Sequence, residues 1–130
     1  MTDRSWYYTV RFRLDQPVPA WPAEFVMVTG WATTGERWTE AENLAANARL
    51  EAELAISGRW FVPITGYSPQ NGHAEPGFAV AMGAEEGTAL GRRYLQDAIY
   101  VVRGDQLTVR YCGDEREDPV AGRWGELLDK

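Results

Sequence analysis

A chain of 130 residues has room for one domain with its own hydrophobic core. Its hydrophobic fraction of 45% and its charged fraction of 25% are typical of globular proteins and not of disordered chains. The formal net charge of -6 opposes binding to the phosphates of nucleic acids, so DNA and RNA are not expected partners.

The chain has a single cysteine, Cys112, and a single histidine, His73, so an internal disulfide and a Cys/His zinc site are both excluded. The N-terminal residues lack the apolar run of a signal peptide, and no apolar stretch is long enough to span a membrane. We therefore expect a cytoplasmic protein that does not bind membranes. No sequence pattern points to a metal or another cofactor.

Residues 6–14 alternate between two faces, with Trp6, Val10 and Phe12 among the apolar side chains of one face, which predicts a half-buried strand. Three prolines between residues 17 and 22 then predict an extended connector. Residues 25–32 are apolar on both faces, as in a central strand.

Residues 39–57 predict a helix, because Thr39 and Glu42 have the spacing of a capping box and Gly58 suits the C-terminal stop. The segment 59–67 reads as a strand that contains Pro63, so it should lie at a sheet edge or carry a bulge. Residues 68–77 predict a loop with a turn at Asn71-Gly72.

The strand that follows places the small Ala79 and Ala81 on one face, where a helix could pack closely. The second predicted helix covers residues 84–96, and its Gly87 and Gly91 would permit a close approach to the sheet. Two strands around Gly104-Asp105 predict a hairpin. Residues 113–130 begin acidic and are expected to form a partly ordered tail of a single domain, 1–130.

From residue 25 the predicted order is strand, helix, strand, strand, helix, strand. This order is typical of a ferredoxin-like split β-α-β plait. We therefore predict an α+β fold with a mostly antiparallel sheet covered by two helices, and with strands 6–14 and 106–112 added to the core sheet.

The first helix has an unusual polar face. Leu44, Leu50 and Leu54 mark its core side, yet Asn43 and Asn47 fall in or beside the same sector. A buried amide without partners costs roughly 1 to 3 kcal/mol, so both need hydrogen-bonding groups nearby. One interpretation is a structural network to loop backbone, for instance from residues 31–38. The other is a ligand pocket between this half of the helix, the end of strand 25–32 and the loop around Glu75, where Trp31 or Trp38 would stack.

Three motifs, TEAENLAANARLEAEL, EPGFAVAMG and GRRYLQDAIYVV, resemble an uncharacterised bacterial family, domain of unknown function 3293, over roughly residues 28–103. The resemblance implies location and no chemistry, since no activity is attached to it. It singles out positions on both helices and at a strand entry: Asn43, Asn47, Leu50, Glu51, Glu75, Phe78, Gly91, Arg93, Gln96 and Ala98.

Other patterns are weaker. His73 and Glu75 have the chemistry of an acid/base pair, but residues in such a loop are usually solvated. Cys112 lies in a predicted strand, which favours a buried and inert thiol.

Two function classes stay open, and the sequence favours the first of them. The first is a non-enzymatic interaction or regulatory module, such as an inhibitor of a basic protein, with Trp21, Trp38 or Trp124 exposed for docking. The second is a small-metabolite site, with or without catalysis, at the predicted ligand-binding residues Trp31, Asn43, Asn47, Glu51, Glu75 and Gln96.

Overall fold

The computed structural model describes residues 4–33 and 36–129, and the side chain of Ala121 lies outside the description. The first element in these residues is a 3₁₀ helix at Ser5–Tyr8, and the same ranges hold three α-helices, α1 at Glu40–Ser57, α2 at Ala84–Arg93 and α3 at Trp124–Leu127. The strands in this part of the chain are β1 Arg11–Arg13, β2 Glu24–Val28, β3 Phe61–Tyr67, β4 Ala74–Val80, β5 Ala98–Arg103, β6 Gln106–Tyr111 and β7 Glu117–Arg123.

Within the described residues, the strands form one antiparallel sheet in the order β1-β3-β4-β2-β5-β6-β7. The sheet curls into a half-barrel, and the segment after β7 returns to its opposite edge. There Leu128 forms a parallel bridge with Phe12 of β1, and the Asp129 amide donates to the Phe12 carbonyl at 2.7 Å. The two edges of the curled sheet are thus joined.

The prediction of a ferredoxin-like plait covered by two helices is wrong. The inner face of the sheet carries large aromatic side chains, which a flat sheet with two helices on one side would leave exposed. Phe12 from one edge and Trp124 from beyond the other edge meet with ring centroids 5.3 Å apart. Curling of the sheet is what buries them.

A second hydrophobic cluster lies on the outer face, where α1 contributes Leu50 and Leu54 and α2 contributes Leu90. These side chains pack against Val26, Phe78 and other residues of the central strands. None of the helices in the described ranges combines the length and apolar character that a membrane span requires.

The first helix forms as predicted. Thr39 and Glu42 make both bonds of the capping box, and Gly58 ends the helix in the left-handed conformation. Leu44, however, was expected on the core side and is 56% exposed. The buried face instead follows Asn43, Ala46, Leu50 and Leu54.

The N-terminal prediction was wrong in part. Residues 5–8 form a 3₁₀ helix, and only Arg11–Arg13 pair as a strand. Tyr7, which alternation placed on the polar face, is buried, and its hydroxyl donates to Asp97 at 3.0 Å. This contact with a distant residue overrides the local alternation.

Pro63 lies in β3 outside the stretch that pairs with β1, which covers only residues 65–67. Its missing N–H therefore removes no hydrogen bond between these two strands.

The glycines of α2 do approach the sheet closely, but not over Ala79 and Ala81 as predicted. Ala79 faces the inner cluster, whereas Gly87 lies against Val26 and Ile99 on the outer face.

Gly104-Asp105 forms the predicted hairpin turn between β5 and β6. The segment predicted as an acidic tail contains β7 and α3.

Candidate functional site

The candidate site lies at one end of the half-barrel, where β2 ends and β4 and β5 begin. The backbone leaves β2 after Val28 and continues as residues 29–33, which have no regular structure. This segment connects to the loop before α1, so its position decides what surrounds the open end of the sheet.

Two asparagines of α1 hold the segment in place. Asn47 accepts from the Gly30 amide at 2.6 Å and donates from its own amide to the Pro76 carbonyl at 2.8 Å. Asn43 accepts from the Ala32 amide at 2.8 Å. Two of these bonds go to loop backbone, as in the structural interpretation of the polar helix face, and the third goes to the backbone of β4.

Two residues just before β5 hold the segment from the other side. The Gln96 side-chain amide donates to the Trp31 carbonyl at 2.8 Å and to the Tyr94 carbonyl at 3.0 Å. The Asp97 backbone amide donates to the Thr33 hydroxyl at 2.8 Å. Trp31 is therefore fixed between α1 and β5 by bonds to its backbone and to its neighbours.

Glu75 is the most unusual charged residue at this end. It shares the inner face of β4 with Gly77 and Ala79, and only 11% of its side chain is exposed. His73 Nε2 lies 2.8 Å from Glu75 Oε2, and among the described residues it is the hydrogen-bond partner of the Glu75 carboxylate. Burial raises the pKa of Glu75, and the bond to His73 only partly opposes this shift. The interpretation of this pair as solvated is thus wrong for Glu75.

The N-terminal 3₁₀ helix covers the same end. The Trp6 ring stands edge-on to His73, with ring centroids 5.3 Å apart. The neighbouring Tyr7 accepts at its backbone carbonyl from the Tyr100 hydroxyl at 3.0 Å. Arg4 adds an ion pair to Asp97. These contacts hold Trp6 beside the His73–Glu75 pair.

The resulting opening, here called the polar cleft, has a volume of about 520 Å³. It is lined by three tryptophans together with charged and polar groups: Trp6, Trp31, Ala32, Thr33, Glu36, Arg37, Trp38, Asn43, Asn71, His73 and Glu75. A smaller inner cavity of about 50 Å³ lies within the half-barrel, and Trp6 and Glu75 line both spaces. Glu75 therefore stands where the cleft meets the interior.

The structure brings together most, but not all, of the predicted site residues. Trp31, Asn43 and Glu75 line the polar cleft, and Gln96 lines the inner cavity. Asn47 lies behind residues 29–33, where both ends of its amide are bonded to backbone. Glu51 is exposed and lines neither space.

Sequence reasoning missed Trp6 as a site residue, because it was assigned to a strand more than sixty residues away from His73. No local pattern connects the two. Arg37 and Asn71 were also missed, and only their position in loops next to the predicted pocket could have suggested them.

A family model described as protein of unknown function (DUF3293) matches residues 28–99, which is more than half of the chain. The chain belongs to this family. The resemblance seen in the three sequence motifs is thereby confirmed. No curated protein and no solved structure matches the chain.

The segment matched to DUF3293 contains most of the cleft, including Trp31, Asn43, His73 and Glu75, and also Asn47 behind it. Trp6 and Tyr7 lie outside the matched segment. The described residues hold no group of three or more His, Cys, Asp or Glu side chains arranged for a metal ion. Chemically, the cleft offers one nearly buried carboxylate, one imidazole, amide groups and indole rings, together with the exposed carboxylate of Glu36 and guanidinium of Arg37.

Proposed function

We propose that this DUF3293 protein binds a small organic molecule in the polar cleft. The observation that supports the proposal is Glu75, a carboxylate that is nearly buried and opens onto both the cleft and the inner cavity. A charged group removed from water lowers stability unless it is well paired. Such a group in a cleft is typical of a binding or catalytic residue.

The walls of the cleft support the same proposal. A volume of about 520 Å³ lies in the range of small-molecule sites. Residues 29–33 donate hydrogen bonds to Asn43 and Asn47 and accept one from Gln96. One wall is therefore formed before a ligand arrives, and the ligand does not have to order it. In this proposal the asparagines serve the site indirectly, by positioning Trp31.

Docking to a basic protein is a second proposal, supported by the net charge of -6 and by the exposed Leu44, Ile56 and Leu95. Two of the three tryptophans that were expected to be exposed for docking belong to the core instead. Trp124 is buried, and Trp21 packs against Phe25 and Trp124 in the inner core. Salt-sensitive co-purification of a defined basic partner would test this role. A cytoplasmic location remains part of the proposal, since the one cysteine suits a reducing compartment.

The binding proposal is tested by screening metabolites for an increase in melting temperature, because a ligand that binds only the native state stabilises it. A ligand found in this way should lose its effect in Trp31→Leu, which removes a ring that lines the cleft. It should keep its effect in Glu51→Gln, which changes an exposed residue of α1 outside the cleft. A stabilising ligand that acts equally on all three proteins would contradict a site in the cleft.

A further inference from the structure

The charges around the polar cleft limit what it can bind. Glu36 and Arg37 are exposed and carry opposite charges, so together they add no net charge to the cleft. Glu75 is the charged group in the deeper part of the cleft, and only 11% of its side chain is exposed. The described residues pair it with His73 and with no lysine or arginine. The deep part of the cleft therefore attracts positive charge.

The aromatic side chains of the cleft favour the same class of ligand. Trp6, Trp31 and Trp38 all line it, and indole faces attract organic cations more strongly than the rings of tyrosine or phenylalanine do. An ammonium group beside a carboxylate also makes charge-assisted hydrogen bonds, which are stronger than bonds between neutral groups. Aromatic walls with a carboxylate at the base thus suit a cation that carries an apolar body.

We propose that the ligand of the polar cleft is an organic amine, whose ammonium group binds the Glu75 carboxylate while its carbon skeleton packs against Trp6 and Trp31. This inference rests on the proposed binding function and adds the chemical class of the ligand. Asn71 and Asn43 provide side-chain amides for further polar groups of the ligand. The acidic surface of the chain, with a net charge of -6, also favours the approach of a cation.

Three small molecules with one carbon skeleton provide the test: 3,3-dimethylbutylamine, 3,3-dimethyl-1-butanol and 3,3-dimethylbutyrate. Their affinities for the whole chain are measured by NMR titration that follows the indole N–H signals. The amine should bind at least about tenfold more tightly than the alcohol, and the carboxylate should bind most weakly. The largest shifts should belong to Trp6 and Trp31, with little change at the buried Trp124.

Two variants assign the effect to the cleft. Glu75→Gln keeps the size of the side chain and removes its charge, so the preference for the amine over the alcohol should disappear. Trp31→Leu should weaken binding of the amine and of the alcohol alike, because it removes packing and not charge. Glu51→Gln, with the same chemical change at an exposed position, should leave all three affinities unchanged.

The outcomes separate the ligand class from the binding function. Tighter binding of the alcohol or the carboxylate at Trp6 and Trp31 would overturn the amine inference and leave the binding function standing. A preference for the amine that persists in Glu75→Gln would also overturn it. If the amine fails to shift the Trp6 and Trp31 signals at millimolar concentration, the inference is wrong, and the metabolite screen then decides the binding function separately.

Discussion

At the scale of single residues, the side-chain amides of Asn43 and Asn47 hold backbone segments in place through hydrogen bonds. Asn47 bonds to Gly30 and Pro76, which belong to segments far apart in sequence, and Asn43 bonds to Ala32. A leucine at either position would fit the apolar pattern of the helix but would remove these bonds. The Gly30 and Ala32 amides would lose their side-chain acceptors, whereas the Pro76 carbonyl would keep its bond from the Thr29 hydroxyl. The backbone groups that Asn43 and Asn47 bind therefore explain why this helix face is polar.

We expect Asn47→Leu to lower the free energy of unfolding by roughly 1 to 3 kcal/mol, because the buried Gly30 amide and the Pro76 carbonyl each lose a hydrogen bond. Asn43→Leu, which removes one bond, should cost less. Urea denaturation measures both values. Glu51→Leu on the exposed side of the same helix controls for the new side chain. Equal stability of Asn47→Leu and this control would contradict a stabilising role of the Asn47 hydrogen bonds.

Glu117 is a second residue with a clear energetic role. It accepts from both Arg103 and Arg110, at distances between 2.8 and 3.0 Å. Although burial acts in the opposite direction, the Arg103 hydrogen bonds dominate and lower its pKa from 4.5 to about 2. A depressed folded-state pKa stabilises the protein above pH 4.5, and this contribution is lost as the pH falls toward 2.

Glu117→Gln should therefore be less stable than the wild type near pH 7, and the difference should shrink between pH 4.5 and pH 2. Allowing for solvent screening of the partly exposed Arg103, we expect a difference at neutral pH on the order of 1 to 2 kcal/mol. Denaturation curves recorded across this pH range measure it. A difference that does not change with pH would show that the ion pairs are not its cause. Glu51→Gln, at a residue outside these ion pairs, serves as the control.

At the scale of elements, the two long helices are fixed to the sheet in different ways. α1 has a capping box and a glycine stop within its own sequence, and Leu50 and Leu54 anchor it to the outer cluster. α2 has no side-chain cap at its N-terminus. It lies so close to the sheet that a methyl group on Gly87 would come within 2.7 Å of Val26 and 2.9 Å of Ile99.

Gly87→Ala should destabilise the protein although alanine is the better helix former. Alanine gains about 1 kcal/mol in an exposed helix position, whereas overpacking a core costs typically 1 to 3 kcal/mol. The net effect is a lower melting temperature, measured by circular dichroism. Gly125→Ala in α3 is the matched control, because its nearest neighbour would lie at an ordinary 3.5 Å. An equal or higher melting temperature for Gly87→Ala would mean that α2 shifts outward without loss.

At the scale of the whole molecule, the C-terminal segment connects the two edges of the half-barrel. Trp124 packs against Phe12, Trp21 and Phe25, so it connects β1 with the strands in the middle of the sheet. Its indole N–H is buried and has no acceptor among the described residues. The contribution of Trp124 is therefore made by the ring and not by its polar atom.

Trp124→Ala should lower the free energy of unfolding by about 3 to 5 kcal/mol, because it leaves a large cavity between the two edges of the sheet. Trp124→Phe should cost much less, since it keeps an aromatic ring and removes an N–H that is buried without a partner. Chemical denaturation of both variants gives the comparison. If the phenylalanine variant is as unstable as the alanine variant, the indole N–H makes a contribution of its own.

Much of the local structure could be predicted because the signals are local. The capping box at Thr39, the stop at Gly58 and the hairpin turn at Gly104 depend on residues within a few positions of each other. Part of the site could be predicted as well. Asn43 on a face with core leucines required a partner, and the motifs shared with DUF3293 indicated Glu75 and Gln96.

The rest depends on residues that meet only in the folded chain. Trp6 reaches His73, and Phe12 reaches Trp124 and Leu128, across most of the sequence. Curling of the sheet follows from burying the large aromatic rings of its inner face, which is a property of all strands together. The sequence by itself thus determined the caps, the turns and the main helices and strands. Tertiary packing alone decided that the sheet curls into a half-barrel and that Glu75 lies where the cleft meets its interior.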